Sequence, residues 1–204
     1  MFIVFDGMDG AGKTTQIELL VQWLAEAGHD VVRCKDPGDT AIGRKMRQLL
    51  LDHHELTISM RAELLMFMTA RAQLVDEIIK PALESGKTVV CDRYVFSTVV
   101  YQGHAGGIEP DVVWQLNEFA IDGCQADLTM LFVVQPEIAL ERLGDSLDRM
   151  ESRGNEYFEK LYRGFVKESK RWPTGVELID GEKTVEEIQR KIRLLGEPLL
   201  NDNA

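Results

Sequence analysis

The chain has 204 residues, 45% of them hydrophobic, which is enough for one sizeable core and one domain. Its 34 acidic residues outnumber 23 basic ones, and the net charge of −11 excludes a generic binder of nucleic acid or of anionic membrane. Any phosphate it holds must sit in a pocket that is positive against the protein's own field.

Residues 2–6, "FIVFD", form a short apolar run that reads as the first strand. The opening "MFIVFDG" lacks the charged segment and long apolar stretch of a signal peptide, and no apolar run reaches ~18 residues. A cytoplasmic protein is the expectation. "GMDGAGKTT" follows at 7–15, with Gly7, Gly12, Lys13 and Thr14 spaced as G-x-x-x-x-G-K-[ST] between a strand and a helix. That spacing cradles the phosphates of ATP or GTP. Gly7, Met8, Asp9, Gly10, Ala11, Gly12, Lys13, Thr14 and Thr15 are the expected nucleotide-binding stretch; the backbone N–H groups from 9 to 14 would ring the β-phosphate, helped by the helix N-terminus. Lys13 would bridge β- and γ-oxygens, and Thr14 would place its hydroxyl on Mg²⁺.

A helix is expected from Lys13 to about Ala27, with Ile17, Leu20, Val21 and Leu24 on one face and Gly28 as its stop. Residues 30–34 read as a second strand and "KDPGDT", 35–40, as a turn-rich loop. Helices are then expected over about 40–51 and 58–84. On the second of these, Leu64, Phe67, Met68, Arg71, Leu74 and Val75 fall on one stripe. Phe67 and Arg71 are i and i+4, so they lie side by side. A flat ring beside a flat donor suits a planar heterocycle, and equally suits an arginine lying over a core phenylalanine.

The third strand is 88–92, "TVVCD". Asp92 at its end can hold Mg²⁺ or cap a helix, and Arg93 can fork onto a phosphate or make an ion pair. Helical segments follow at 95–102 and 109–122, the first carrying the uncharged hydrogen-bonders Ser97, Thr98, Tyr101 and Gln102. Residues 128–134 form the fourth strand, apolar without alternation and so buried on both faces. Helix is expected from Pro136 to about Leu143, then a polar stretch over 144–156, then helix to about 171. Arg142, Arg149 and Arg153 stand there, either as a solvated charged segment or as a lid over a transferring phosphate. Residues 176–180 form the fifth strand and 183–195 a closing helix, with a fraying tail expected after Gly196. Cys34, Cys91 and Cys124 form no C-x-x-C pair and read as reduced and buried; the adjacent His53 and His54 cannot share a metal face on a helix.

Strands alternating with helices imply an α/β fold, a parallel sheet with helices on both faces and ligands at the carboxyl ends of the strands. One domain spans 1–204, with a short lid at about 142–156.

The motif set resembles the bacterial thymidylate kinases along nearly the whole chain. The matching stretches are "GMDGAGKTT", "DPG" after the second strand, "FMTAR", "DRY", "STVVYQG", "LDRME" and "LIDG". The resemblance implies a P-loop NTPase fold with a five-stranded parallel core, transfer of phosphate from ATP-Mg²⁺ to dTMP, and a homodimer. It implies that Asp9 lies at the 3′-hydroxyl and phosphate end of dTMP, with Pro37 in the acceptor-side loop. Phe67 would stack on thymine and Arg71 would bond its edge. Arg93 would bind the 5′-phosphate, with Ser97 beside it. Tyr101 would lie against the sugar's 2′ carbon, Gln102 would help hold the nucleoside, and Arg149 would reach the ATP phosphates from the lid; the clustering of arginines in this segment adds the expectation that Arg142 or Arg153 assists. Lys13, Arg93, Arg149 and Asp9 are thus the expected catalytic set. The chain departs from the family pattern at Lys35 and Asp39 in "KDPGDT" and at Gly106. An acceptor phosphate is mostly dianionic at pH 7, so no general base is needed. Two rivals remain: a kinase for a nucleoside or for another monophosphate such as UMP, and a non-catalytic P-loop regulatory protein.

Overall fold

The computed structural model describes residues 1–52, 55–144, 147–172 and 174–201. His53 and His54 lie outside the described residues. Five strands, β1 (Phe2–Gly7), β2 (Val31–Lys35), β3 (Thr88–Asp92), β4 (Leu128–Val133) and β5 (Val176–Asp180), form one sheet in the order β2-β3-β1-β4-β5. Every pairing is parallel. β1, β3 and β4 are buried at every position, as strands covered on both faces must be.

The register explains why the motifs converge. Phe5 and Lys35 both pair with Asp92, and Gly7 pairs with Phe132. The carboxyl ends of β1, β2, β3 and β4 are therefore level, and the loops that leave them meet above the sheet.

The helices are α1 (Lys13–Glu26), α2 (Ala41–Leu51), α3 (Met60–Leu74), α4 (Lys80–Glu84), α5 (Val95–Thr98), α6 (Pro110–Ile121), α7 (Pro136–Leu143), α8 (Asn155–Ser169) and α9 (Val185–Asn201). Three differ from the sequence reading. The single helix expected over 58–84 is α3 and α4 joined by a wide π-type turn, Val75–Ile79. Pro81 lies just past that turn, near the start of α4, where its missing N–H costs least. The helix expected over 95–102 is α5 continued by a second wide turn, Val99–His104, which carries Tyr101 and Gln102 inward. The tail after Gly196 is helical as far as it is described: α9 runs on to Asn201 with Pro198 inside it, because Leu195, Leu199 and Leu200 pack against the core.

Candidate active site

The phosphate loop is shaped by glycines that have no substitute. Gly7 has φ +128°, and a Cβ there would stand 2.1 Å from the Phe132 carbonyl oxygen. Gly10 has φ +75°, and a Cβ there would meet the Ala139 oxygen at 2.6 Å. Met8 and Ala11 are fully buried, so they offer a ligand backbone and not side chain. Gly12 precedes α1 in the left-handed region and no side chain caps the helix, which leaves its first N–H groups for a ligand. Thr14 and Thr15 are exposed on that first turn. Lys13 Nζ donates to the Met8 oxygen at 2.5 Å and the Gly7 oxygen at 3.2 Å. Burial pushes the Lys13 ammonium down, Arg93 pushes it further, and Asp9, Asp92 and Asp6 only partly resist, so it falls to about 8.

Two cavities open here. One of about 400 Å³ lies over the loop, lined by Gly10, Gly12, Lys13, Thr14, Thr15, Asp92, Arg142 and Leu143. The other, about 210 Å³, lies between α3 and the Val99–His104 turn and includes Pro37, Phe67, Arg71, Ser97, Tyr101 and Gln102 in its wall. Asp9, Lys35 and Arg93 belong to both. A phosphate in either cavity would face one in the other across three side chains.

Arg93 is the centre of this shared wall. Its φ of +71° is one that a residue with a side chain rarely adopts. Its backbone N–H donates to the Phe5 oxygen at 2.8 Å, which holds the turn against β1. Its guanidinium donates to the Gly7 oxygen at 2.7 Å, to Ser97 Oγ at 3.0 Å and to Asp9, and it lies 5.3 Å above the Tyr101 ring. Burial pushes the Asp9 carboxyl up, but Arg93, Lys13 and the Tyr101 hydroxyl, which donates to it at 2.6 Å, outweigh this and hold it at about 2. Burial works against the Arg93 charge too, yet Asp9, Tyr101, Asp92 and Asp6 raise it well above the usual arginine range. Both groups are ionised at neutral pH.

Asp92 receives Lys35 Nζ on Oδ2 at 3.0 Å, while its buried Oδ1 has no partner among the described residues. Burial pushes this carboxyl up, and Lys13, Lys35 and Arg93 bring it down overall.

Arg71 is 1% exposed and is not a surface arginine over a core ring. It donates to Asp36 Oδ2 at 2.6 Å, Thr98 Oγ1 at 2.9 Å, the Tyr94 oxygen at 2.8 Å and Asn117 Oδ1. Those four bonds leave one of its five N–H donors unspent among the described residues. Phe67 is half-buried in the same cavity wall.

Arg149 and Arg153 are not among the described residues that line the loop cavity, whereas Arg142 is. Arg149 donates to the Leu50 oxygen at 2.7 Å and to Glu63 Oε2 at 2.5 Å, and Arg153 donates to the same oxygen at 2.7 Å. The buried Glu63 carboxylate draws both toward α3 and away from the phosphate loop. Arg142 donates to the Gly10 oxygen at 3.2 Å and the Gly181 oxygen at 2.9 Å. The lid segment instead brings Asp148, Met150 and Glu151 to the acceptor-side cavity.

Several participants were not picked out from the sequence. Asp6 is fully buried and accepts from the Gly7, Tyr94 and Ser97 N–H groups at 2.8, 3.0 and 2.9 Å, tying β1 to the turn after β3. A lone charge at the end of an apolar strand was the available signal. Arg47 donates to the Pro37 oxygen at 3.0 Å and lines the acceptor-side cavity; nothing in its helical segment marked it. The departures at Asp39 and Gly106 also have physical reasons. Asp39 Oδ2 accepts from the Lys35 N–H at 2.6 Å and closes the loop on itself. A Cβ at Gly106 would lie 2.6 Å from the Gln102 oxygen, so this backbone admits no side chain there.

A family model described as thymidylate kinase matches residues 5–192. A thymidylate kinase from Exiguobacterium sp. is 41% identical over 196 residues, covering 94% of this chain and 92% of the relative. Another from Thermosipho africanus is 41% identical and covers 97% of this chain and 98% of the relative. The crystal structure of thymidylate kinase from Ehrlichia chaffeensis superposes with a TM-score of 0.79 at 30% identity, covering 97% of this chain and 98% of that one. The phosphate loop, the level strand ends and the paired cavities occur in a chain whose similarity to these enzymes runs nearly end to end, and the chain belongs to the thymidylate kinase family.

Proposed function

We propose that the protein transfers the γ-phosphoryl group of ATP to dTMP, giving ADP and dTDP. The observation that carries this is the wall of Asp9, Lys35 and Arg93 common to the two cavities. A nucleotide in each would meet phosphate to phosphate, which in-line transfer needs and which hydrolysis or a regulatory switch does not. The acceptor brings its own charged oxygen, so the Asp9 carboxylate serves as a partner for Arg93 rather than as a base.

ATP occupies the loop cavity on this reading, with Lys13 and the loop N–H groups on its phosphates and Arg142 beside them. Mg²⁺ fits the same cavity: Thr14 offers an exposed hydroxyl and Asp92 an oxygen with no partner among the described residues, a donor set suited to a hard cation that also takes phosphate oxygens. When bound, it would neutralise charge building on the β- and γ-oxygens. Phe67 stacks on the base, the unspent N–H of Arg71 meets its edge, and Tyr101 closes the cavity beside the 2′ carbon. Arg149 and Arg153 reach the donor phosphates only by leaving Glu63.

The test is a coupled ADP-release assay with dTMP, dUMP, UMP and thymidine as acceptors. dTMP should release ADP far above the water background, and dUMP should outrun UMP, which adds a hydroxyl against Tyr101. No release with dTMP sinks the reading, and release with thymidine alone would make this a nucleoside kinase.

The depressed ammonium of Lys13 adds a pH signature. The free protein loses that proton as pH rises through about 8, while bound phosphates hold it on. kcat/KM for ATP should therefore fall above about pH 8 while kcat stays level further up, and Lys13→Arg should abolish that limb. A profile level to pH 9.5 would show that Lys13 keeps its proton.

The same reading makes the chain a cytoplasmic homodimer. Phe119 and Val112, seven residues apart on one face of α6, and Leu65 on neighbouring α3 are large apolar side chains left exposed, which supports a self-association face. Sedimentation equilibrium reads the mass directly. The three free thiols suit a reducing compartment. Among the described residues no helix is long and apolar enough to cross a membrane.

A further inference from the structure

The acceptor-side cavity contains an amide whose orientation is decided by a residue outside that cavity. Gln102 is fully buried and lines the cavity. Its Nε2 donates to Glu63 Oε1 at 3.0 Å, and its Oε1 meets no donor among the described residues. Glu63, 1% exposed in the first turn of α3, also takes Arg149 and Arg153 on its other oxygen. A carboxylate only accepts, so it can face the NH₂ end of the amide and not the oxygen end. With the nitrogen turned to Glu63, the end of the amide left without a partner among the described residues is its oxygen.

We propose that Glu63 is a positioning residue that sets base specificity through Gln102. The amide it orients accepts from a base edge that carries a ring N–H, as thymine and uracil do at N3. It is mismatched to cytosine, whose N3 is an acceptor. This rests on the dTMP kinase reading above and adds the residue that enforces the choice. A buried acceptor facing another acceptor loses its bond and gains repulsion, a difference on the order of tenfold or more.

dUMP and dCMP differ only at this edge, so the quantity to measure is the ratio of their kcat/KM values, or of their dissociation constants by calorimetry where dCMP turnover is too slow. Glu63→Gln can face Gln102 with either end, which frees the amide to rotate. The dUMP/dCMP ratio should fall at least ~10-fold. A purely structural role, or loosening of the lid, would lower both acceptors together and leave the ratio unchanged. Arg149→Ala with Arg153→Ala, which frees the lid but keeps Glu63, should leave the ratio where it is. In a Gln102→Leu background, Glu63→Gln should have no further effect on it. If Glu63→Gln does not fold, Glu63→Asp, whose shorter carboxylate withdraws from Gln102, is read in the same way. An unchanged ratio in the folded variant overturns the inference. Absence of dTMP turnover in the unsubstituted protein is a separate result that overturns the kinase reading itself.

Discussion

Arg93→Lys should lower kcat by about 10³-fold or more while the chain stays folded. An arginine at a transferring phosphoryl group is worth about 10³–10⁵ in rate in related P-loop chemistry. Arg93 stands in the wall common to the two cavities, where the proposed transfer would take place. Lysine would keep the charge but could not fork between two phosphates as guanidinium does. The backbone at φ +71° is held by the N–H bond to Phe5, which lysine keeps, so the fold should survive. A group that acts mainly on developing charge affects kcat more than KM. Steady-state kinetics with both substrates varied would show this. A loss under tenfold would make Arg93 a holder of Asp9 and nothing more.

The second large effect concerns stability before it concerns binding. Arg71→Ala should destabilise the protein by about 3–5 kcal/mol, because it strands the buried carboxylate of Asp36. For a chain of this size that lowers Tm by roughly 6–20 °C. Burial already pushes the Asp36 carboxyl up against the pull of Arg71, and its Oδ1 has no partner among the described residues. Weak dTMP binding by the single variant would therefore confound unfolding with a lost contact. Pairing Arg71→Met with Asp36→Leu separates them, since an apolar pair of similar bulk replaces a buried ion pair at little cost. The double variant should regain part of the lost Tm, the Tyr94 and Asn117 oxygens still lacking the donors Arg71 gave them, and bind ATP normally. It should still bind dTMP about 10- to 150-fold more weakly, the value of one charged hydrogen bond in a dry site. Normal dTMP affinity in the double variant would make Arg71 a fold residue alone.

Arg71 also shows how far the sequence could be read. Its place on an apolar stripe beside Phe67 was visible, and so was its cost unless paired. Its partner, Asp36, is 35 residues away in a turn-rich loop, and no local pattern joins the two. The same limit applies to the lid. A cluster of arginines beyond the fourth strand was plain, but helical spacing could not reveal that Glu63 on α3 is buried and takes two of them. The strands and the phosphate loop were legible because each is written within a few consecutive residues. Contacts made through the third dimension, such as Asp6 to Ser97 and Lys35 to Asp92, were not. The C-terminal helix was misread for a related reason: Gly196 and Pro198 signal an end, and only the packing of Leu199 and Leu200 overrides them.

The wall shared by the two cavities has a thermodynamic consequence. Arg93 cannot fully serve an incoming phosphate while one arm of its guanidinium is paired with Asp9, so whichever nucleotide arrives first must reorganise that pair. The second arrives at a guanidinium already turned, and its association no longer carries that cost. Linkage then makes the benefit mutual: the factor by which one nucleotide tightens the other must be the same in both directions. Four calorimetric titrations around that square, with a non-hydrolysable ATP analogue, would show synergy rather than independence. Asp9→Asn, which releases Arg93 in advance, should flatten it.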